Sequence, residues 1–296
     1  MLVEENFEII KYTTFKIGGK IQKIYFPQEI ADANALPKNC FVIGNLSNTL
    51  ISSSGTNIPV VSTSKLDYIK ISGNTVIAGA GVKGPKLAQI AADEGLSGFE
   101  FMIGFPGTVG GEVYMNAGAN GQTIADTFKS AKVYIPASKE IATLYKDDME
   151  FDYRKSICQS KKYIILEAEF ELKPENPDII KQKMAENLEF RKTHQPSLSL
   201  PNCGSIFKNP KNNSAGKLLD ECEVKNMKIG GAKVWENHAN FIVNEGNASS
   251  TDVLKLMCEM KQRVKEKFNI NLVPEIRYLG GKDEEEELLC TMLYQK

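Results

Sequence analysis

The sequence has few histidines and no closely paired cysteines. His194 and His238 are the two histidines in 296 residues, and none of the six cysteines forms a C-x-x-C pair. Clustered His and Cys ligands are what zinc and iron sites need, so a histidine-rich centre is excluded and we predict no metal site. The scattered cysteines predict buried free thiols instead of a disulfide framework.

Long apolar runs and an excess of charge of one sign are also missing. The longest apolar stretches, such as residues 163–166, are far shorter than the roughly 20 residues that span a bilayer. The first ten residues, MLVEENFEII, are acidic where a signal peptide would be basic. Lys and Arg number 36 against 37 Asp and Glu, with no local basic patch for nucleic acid. We expect a cytoplasmic protein with no membrane or nucleic-acid partner.

The length and the periodicity of apolar residues predict two or three globular domains of mixed helix and strand. Helices are expected over residues 85–94 and 179–191, and after Thr251 as N-cap, with Met257 and Met260 in the core. The proline-containing segment 173–178 is the best domain boundary. The acidic run 283–287 is typical of a solvated face or a helix cap. Strands are expected at residues 21–26, 41–44, 59–61, 75–78, 131–135 and 163–172.

A G-x-G-x-x-G pattern over residues 79–84 follows a predicted strand and precedes a predicted helix. By itself it would suggest a dinucleotide-binding βαβ unit, with phosphate at the helix N-terminus. However, Pro85 delays the helix start, and the next segment is glycine-rich instead of a buried strand ending in an acid. The pattern is better interpreted as a plain strand-to-helix turn.

Two further glycine-containing segments are candidate ligand loops. The turn over residues 44–48, GNLSN, can point successive backbone N–H groups at an anion, although it can equally be a hairpin turn. Residues 104–111 contain four glycines and a proline, which indicates a backbone that passes close to a flat group or to phosphates. The segment 116–121 extends the same surface.

Seven motifs occur in an order that resembles the UDP-N-acetylenolpyruvoylglucosamine reductase family: TTFKIGG, GNLSN, GFEFMIGFPGTVGGEVYMNAGANG, FDYRKS, CGSIFKNP, GGAKVWENHANFIVN and VPEIRYLG. The resemblance covers roughly residues 10–280. It implies an α+β protein with a vanillyl-alcohol-oxidase-like, two-subdomain FAD-binding fold and a C-terminal α+β substrate-binding domain. The implied division is 1–66 and 67–175 for FAD, 176–280 for substrate, and 281–296 as a tail. The short spacing between FDYRKS and RKTHQP resembles the type II form.

The resemblance also implies a reaction. The family uses NADPH and noncovalent FAD to reduce the enolpyruvyl group of UDP-N-acetylglucosamine enolpyruvate to UDP-N-acetylmuramate, in peptidoglycan precursor synthesis. Reduction at C3 leaves carbanion character at C2, which needs a cation at the neighbouring carboxylate and a proton donor. The expected partner is therefore a small-molecule UDP-sugar. We also expect a monomer, and ping-pong kinetics are expected because one flavin would serve both substrates in turn.

Site residues are carried over by their positions in the motifs. Ser205 would protonate C2, Arg154 would bind and polarise the carboxylate, and Glu275 would assist there. Asn209 and Lys208, with Arg154, would bind substrate. His238 is interpreted as structural. The expected FAD-binding residues are Gly44, Asn45, Leu46, Ser47, Asn48, Gly104, Pro106, Gly107, Thr108, Gly110, Gly111, Asn116 and Gly118, with Thr14 and residues 17–19 lining the same pocket.

Departures from the family pattern keep two alternative functions open. The family has G-G-G-S-N where this chain has GNLSN, and if a positive φ is needed there, Asn45 adopts it more readily than Leu46. Glu112 stands where the family has a small residue, and Asn120, Cys203 and Trp235 also differ. The alternatives are another noncovalent FAD oxidoreductase on the same scaffold, and a non-catalytic nucleotide-binding regulator. No histidine precedes position 194, which disfavours a covalently tethered flavin.

Overall fold

The structure is a computed structural model and describes residues 1–295. Its strands are β1 (Leu2–Glu8), β2 (Lys20–Phe26), β3 (Phe41–Ile43), β4 (Thr49–Ile51), β5 (Val60–Ser62), β6 (Ile69–Ser72), β7 (Thr75–Gly79), β8 (Leu96–Ser97), β9 (Gly118–Ala119), β10 (Gln122–Thr123), β11 (Phe128–Ile135), β12 (Glu140–Tyr145), β13 (Ile164–Glu171), β14 (Lys173–Pro174), β15 (Asn202–Ser205), β16 (Lys228–Ile229), β17 (Ala232–Val234), β18 (Phe241–Asn244) and β19 (Arg277–Leu279). Its α-helices are α1 (Gly84–Asp93), α2 (Val109–Met115), α3 (Ile124–Thr127), α4 (Ile157–Lys161), α5 (Pro177–His194), α6 (Ala215–Glu221), α7 (Ser250–Phe268) and α8 (Glu284–Tyr294).

The chain divides into two compact units. Unit 1 comprises Met1–Glu4, Ile24–Asn45 and Pro59–Thr193, and unit 2 comprises Glu5–Lys23, Leu46–Ile58 and His194–Lys296. The chain passes from one unit to the other within β1 and back within β2. A further division falls between residues 45 and 46, inside the GNLSN turn, so residues 44–45 belong to unit 1 and residues 46–48 to unit 2.

Unit 1 is built on an antiparallel five-stranded sheet in the order β12-β11-β13-β7-β6. Small residues meet across its centre, where Ala168 of β13 pairs with Ala131 on one side and Ala78 on the other. Phe170 on the same strand is buried and packs edge-on against Phe99. In a second sheet, β5 lies parallel to β2 and β3. The G-x-G-x-x-G segment is a turn between β7 and α1, as predicted.

The glycine-rich segment of unit 1 contains a helix that the sequence did not predict. Helix α2 covers Val109–Met115, so Gly110 and Gly111 are helical instead of lying in a loop. The helix comes close to the turn after β7, because a side chain on Gly110 would meet Ala80 at 2.8 Å. Gly110 thus allows α2 to pack closely against Ala80. This packing outweighs the low helix propensity of glycine.

Unit 2 combines an antiparallel sheet in the order β15-β18-β17-β16 with helices α6, α7 and α8 and a parallel pair formed by β4 and β19. Met257 and Met260 of α7 are fully buried, as the stripe predicted. The predicted N-cap was wrong: Ser249, not Thr251, accepts the backbone N–H of Asp252 in a capping box. Thr251 is the second residue of the helix.

The acidic run near the C-terminus is the start of α8. Asp283 caps this helix by accepting the backbone N–H of Glu286, which agrees with the predicted cap. The alternative of a solvated face is wrong for Glu286, because its side chain is only 1% exposed. Among residues 1–295, no helix combines the length and apolar character that crossing a bilayer requires. All six cysteines are free thiols, and Cys158 and Cys203 are buried.

Candidate active site

Two of the predicted FAD loops lie against each other in unit 1. The side-chain amide of Asn45 donates a hydrogen bond to the carbonyl of Pro106. A side chain on Gly44 would overlap the hydroxyl of Thr108, which is buried and has no hydrogen-bond partner within the described chain. An unpaired buried hydroxyl is costly unless a ligand satisfies it. These residues therefore fit a bound nucleotide cofactor such as FAD.

The other half of the GNLSN turn lies in unit 2. Leu46 adopts a left-handed conformation with φ of 57°, whereas Asn45 does not, so the positive φ falls on the residue that adopts it less readily. Burial explains the choice, since the Leu46 side chain is 5% exposed and its packing offsets an unfavourable backbone. Thr14 fixes the carbonyl of this residue with a 3.2 Å hydrogen bond from its hydroxyl and donates also to Asn202 at 2.7 Å.

Helix α5 adds a residue near the loops whose position in the sequence predicted only a helix face. A side chain on Gly104 would meet the Cδ atom of Arg191 at 2.8 Å, so glycine makes room for the arginine stem. Burial lowers the pKa of Arg191 from its usual value. A basic residue at the end of an otherwise apolar stripe was the signal that could have identified it.

Arg154 lies in a tight turn that its neighbours hold in place. Its backbone is left-handed, with φ of 53°, and its guanidinium donates to the carbonyl of Gly118 at 3.2 Å. The side chain of Gln159 donates to the Arg154 carbonyl at 3.1 Å, and the buried hydroxyl of Ser156 donates to Tyr114 at 2.7 Å. Predicted FAD-binding Gly118 therefore contacts the predicted catalytic arginine within unit 1.

Asn116, predicted to bind the cofactor, uses both ends of its side-chain amide on the backbone. Its nitrogen donates to the carbonyl of Asp152 at 3.1 Å, and its oxygen accepts the N–H of Ala125 at 3.0 Å. The residue is 6% exposed and has a left-handed φ of 41° at the end of α2. These contacts make Asn116 a support for the turn that carries Arg154.

Replacing Asn116 with alanine is expected to lower the free energy of unfolding by about 2–3 kcal/mol, because two part-buried hydrogen bonds to the backbone are lost and the left-handed backbone becomes unfavourable. Asn120 is a matched control, since it has a similar φ of 53° but is exposed. Asn120→Ala should cost only about 1 kcal/mol. Urea denaturation of both variants tests this, and equal losses would show that the side-chain contacts of Asn116 contribute little.

Ser205 ends a bulged strand in unit 2. The pairing of β15 with β18 shifts register between Asn202 and Ser205, and Gly204 takes a positive φ of 80° inside the bulge. A bulge of this kind redirects the side chain that follows it. Asn240 then fixes the next residues, because its backbone carbonyl accepts from Ile206 at 3.0 Å.

Glu275 and the residues beside Ser205 are connected through the backbone of unit 2. The N–H of Glu275 donates to the carbonyl of Ile206 at 2.8 Å, one residue after Ser205. Its own carbonyl accepts the side-chain amide of Asn48 at 3.1 Å. The structure thus brings together Ser205, Glu275 and Asn48, three of the residues that the motifs predicted.

The two predicted diphosphate contacts follow on the same segment. The N–H of Lys208 donates to the carbonyl of Val273 at 2.9 Å. The side-chain oxygen of Asn209 accepts the N–H of Ala215, the first residue of α6, at 2.9 Å. That contact fixes Asn209 at the start of the helix.

His238 has the surroundings of a structural histidine. Its Nδ1 accepts the N–H of Asn240 at 3.1 Å, and its ring packs edge-on against Phe241. A side chain on Gly216 would meet the ring at 2.8 Å. Burial lowers the pKa of His238, which favours the neutral ring.

Glu112 is an unexpected feature of unit 1. It is 3% exposed, and neither carboxylate oxygen has a hydrogen-bond partner within residues 1–295. The carboxyl lies against Gly84 and Gly107, where a side chain on either residue would collide with it. Burial raises the pKa of Glu112 to about 8, so it is mostly protonated at neutral pH.

Comparison with known proteins first shows the class of protein to which the chain belongs. The family described as FAD binding domain matches residues 28–143, which cover both loops around Thr108 and Gly44. The chain is therefore an FAD-binding α+β protein, as predicted from its motifs.

The family follows from the rest of the chain. The family described as UDP-N-acetylenolpyruvoylglucosamine reductase, C-terminal domain, matches residues 195–279. The enzyme of that name from Caldicellulosiruptor bescii is 42% identical over 91% of this chain and 88% of its own, and the one from Lactococcus lactis subsp. cremoris is 37% identical over 95% and 96%. The crystal structure of the Thermus caldophilus reductase superposes with a TM-score of 0.82 at 32% identity, covering 94% of this chain and 99% of that one. The chain belongs to the UDP-N-acetylenolpyruvoylglucosamine reductase family, which confirms the predicted family, fold class, enzyme class and FAD cofactor.

Proposed function

We propose that this protein catalyses the NADPH-dependent reduction of UDP-N-acetylglucosamine enolpyruvate to UDP-N-acetylmuramate, in peptidoglycan precursor synthesis. One observation carries the proposal. A single chain joins an FAD-binding region to the C-terminal domain of this reductase family, with 37–42% identity to reductases over nearly their whole length. A regulator that kept only nucleotide binding would not need the Ser205 and Glu275 arrangement of unit 2.

Bound FAD supplies the two-electron chemistry that links NADPH to the enolpyruvyl double bond. In unit 1 the residues proposed to hold it are Gly44, Asn45, Gly104, Pro106, Gly107, Thr108, Gly110, Gly111 and Gly118. Thr108 offers a buried hydroxyl with no partner in the described chain. The glycines allow the loops around it to pack closely, since a side chain on Gly44 would overlap that hydroxyl and one on Gly107 would meet Glu112. In unit 2 the proposed contacts are Leu46, Ser47, Asn48 and Thr14. Asn116 is proposed to act mainly by supporting the Arg154 turn.

The proton chemistry is assigned to three side chains. Ser205 donates a proton to C2 of the substrate as carbanion character develops there. Arg154 binds the adjacent carboxylate with its planar guanidinium, which stabilises the charge that delocalises into that group. Glu275 assists at the carboxylate. Serine is a weak acid, so it needs precise positioning to act as a proton donor. We propose that the bulge at Gly204 provides this positioning for Ser205.

Lys208 and Asn209 are proposed to bind the diphosphate of the UDP-sugar, one by charge and one by hydrogen bonding. We propose a monomeric cytoplasmic enzyme. The proposed domain division remains 1–66, 67–175 and 176–280, with the tail from 281.

The proposed function is tested by two half-reactions in the absence of oxygen. The purified protein should contain FAD whose visible absorbance bleaches on addition of NADPH and returns on addition of the enolpyruvyl substrate. Absence of bound flavin after incubation with FAD would contradict the proposal and favour a non-catalytic regulator. Bleaching without reoxidation by the enolpyruvyl substrate would instead favour another FAD oxidoreductase.

A further inference from the structure

The strand that follows Glu275 is held by contacts outside the motifs. Strand β19 pairs with β4 over three residues, in a two-stranded parallel sheet. A pair this short is marginal by itself and needs packing from elsewhere. The carbonyl of Ile276, the residue directly after Glu275, accepts the hydroxyl of Tyr294 at 2.8 Å. Tyr294 is the last residue of helix α8, so the C-terminal helix reaches back to the backbone beside Glu275.

A second contact joins the start of the same helix to the same strand. The hydroxyl of Tyr278 donates to the carboxylate of Glu286 at 2.6 Å. Glu286 also accepts the hydroxyl of Thr251 at 2.9 Å and that of Ser250. Three donors satisfy this buried carboxylate, and one donor, Ser250, also accepts the N–H of Ser53 at 2.7 Å. Burial and the neighbouring Glu286 raise the pKa of Tyr278, which keeps its hydroxyl a donor.

These contacts constrain how the backbone can turn at Glu275. Helix α8 holds residue 276 by its last turn and residue 278 by its first, while Asn48 accepts the N–H of Arg277 at 3.0 Å between them. On the other side, Glu275 donates to Ile206. The peptide on each side of Glu275 is therefore fixed, and so is the direction in which its side chain leaves the backbone. The region matched by the family's C-terminal domain ends at residue 279, before α8 begins.

We propose that helix α8 positions Glu275 for the reaction, through Tyr294 at the backbone of Ile276 and Glu286 at Tyr278. The proposal rests on the proposed role of Glu275 in the proton chemistry. It gives the acidic C-terminal segment a function in catalysis, as a positioning element that does not itself touch substrate. Because the effect acts on the carboxylate of Glu275, loss of α8 contacts should slow reoxidation of the flavin by the enolpyruvyl substrate. Reduction of the flavin by NADPH should be unchanged.

The test compares Tyr294→Phe and Glu286→Gln with Glu287→Gln, an exposed acid on the same helix. Flavin reduction by NADPH should stay within about twofold of wild type in all three holoenzymes. Reoxidation by the enolpyruvyl substrate should slow about tenfold in the first two variants only, because small displacements of a reacting group cost this much. Equal slowing of both half-reactions, or no slowing, would overturn the positioning role.

A double substitution separates this proposal from the role of Glu275 itself. If α8 acts through Glu275, adding Tyr294→Phe to Glu275→Gln should slow reoxidation no further. Multiplied effects in the double variant would mean that Tyr294 acts by another route, and the positioning role would be wrong. If Glu275→Gln alone leaves reoxidation unchanged, then the proposed role of Glu275 fails first. Thermal midpoints of all variants identify any that unfold at the assay temperature, and both half-reactions of every variant are then compared at a temperature below the lowest midpoint.

Discussion

Substituting Glu112 with glutamine is expected to stabilise the protein at alkaline pH and to change its stability little near pH 5. Between pH 5 and pH 8, the stability difference should shift in favour of the variant by roughly 3–4 kcal/mol. The expected shift is large because the carboxyl is 3% exposed and has no hydrogen-bond partner among the described residues. Glutamine has nearly the same size and carries no charge at any pH.

The direction follows from which state of the chain binds the proton. Burial raises the pKa of Glu112 from 4.5 to about 8 in the folded protein. Between those values the folded chain keeps a proton that the unfolded chain releases, so the contribution to stability is full below pH 4.5 and is lost as the pH rises towards 8. Each pH unit in that interval removes about 1.4 kcal/mol. Above the folded pKa the loss ends.

Urea denaturation of wild type and Glu112→Gln at several pH values, with FAD present at the same saturation, measures the difference. Glu94→Gln is the matched control, because Glu94 is an exposed acid at the end of α1. Its stability curve should run parallel to wild type. Parallel curves for Glu112→Gln as well would mean that the carboxyl ionises in the folded chain at an ordinary pKa.

The central elements were predictable because their patterns are local. Short segments rich in apolar residues predicted β11 and β13, and Pro85 with a terminal glycine predicted α1. Helix α2 was missed since its glycines have low helix propensity, and what favours the helix is its close approach to Ala80, which depends on distant sequence. Local pattern therefore predicts elements where local preference and packing agree.

The site residues show the same limit more sharply. The motifs supplied Ser205, Glu275 and Asn48, and the structure joins their backbones. The family's glycines suggested a positive φ in the GNLSN turn, but local preference favoured Asn45 over Leu46, because the burial that offsets the strain at Leu46 depends on distant residues. An acidic run normally indicates solvent exposure, and burial of Glu286 is visible only when its three hydroxyl partners converge on it.

Substituting Ser205 with alanine is expected to slow reoxidation of the reduced flavin by the enolpyruvyl substrate by about 10²–10⁴-fold, the usual contribution of a positioned proton donor. Flavin reduction by NADPH should stay near wild type, because no proton is delivered to C2 in that step. Alanine keeps the bulge, because Ser205 pairs with Phe241 through the main chain and the N–H of Gly204 donates to the side-chain oxygen of Asn202 at 3.0 Å. Stopped-flow absorbance of the flavin measures both half-reactions separately.

The product that Ser205→Ala forms slowly provides a second test, the configuration at its C2 atom. If Ser205 is the donor, protonation of C2 in the variant falls to water, which can reach the carbon from either face. Turnover in D₂O should then give product with deuterium at C2 in both configurations, whereas wild type gives one. A variant that slows by the expected factor but retains a single configuration would show that another group donates the proton and that Ser205 acts on binding or orientation.

The control for this prediction is Ser199→Ala, since Ser199 is an exposed serine six positions earlier and within unit 2. Both of its half-reactions should match wild type. Equal loss of the two half-reactions in Ser205→Ala, together with a lower thermal midpoint, would instead mean that the hydroxyl holds the structure of the bulge. Because the bulge is fixed by Gly204 and by main-chain pairing to Phe241, such a loss is not expected. The separation of the two half-reactions therefore distinguishes a proton donor at C2 from a residue that only maintains the fold.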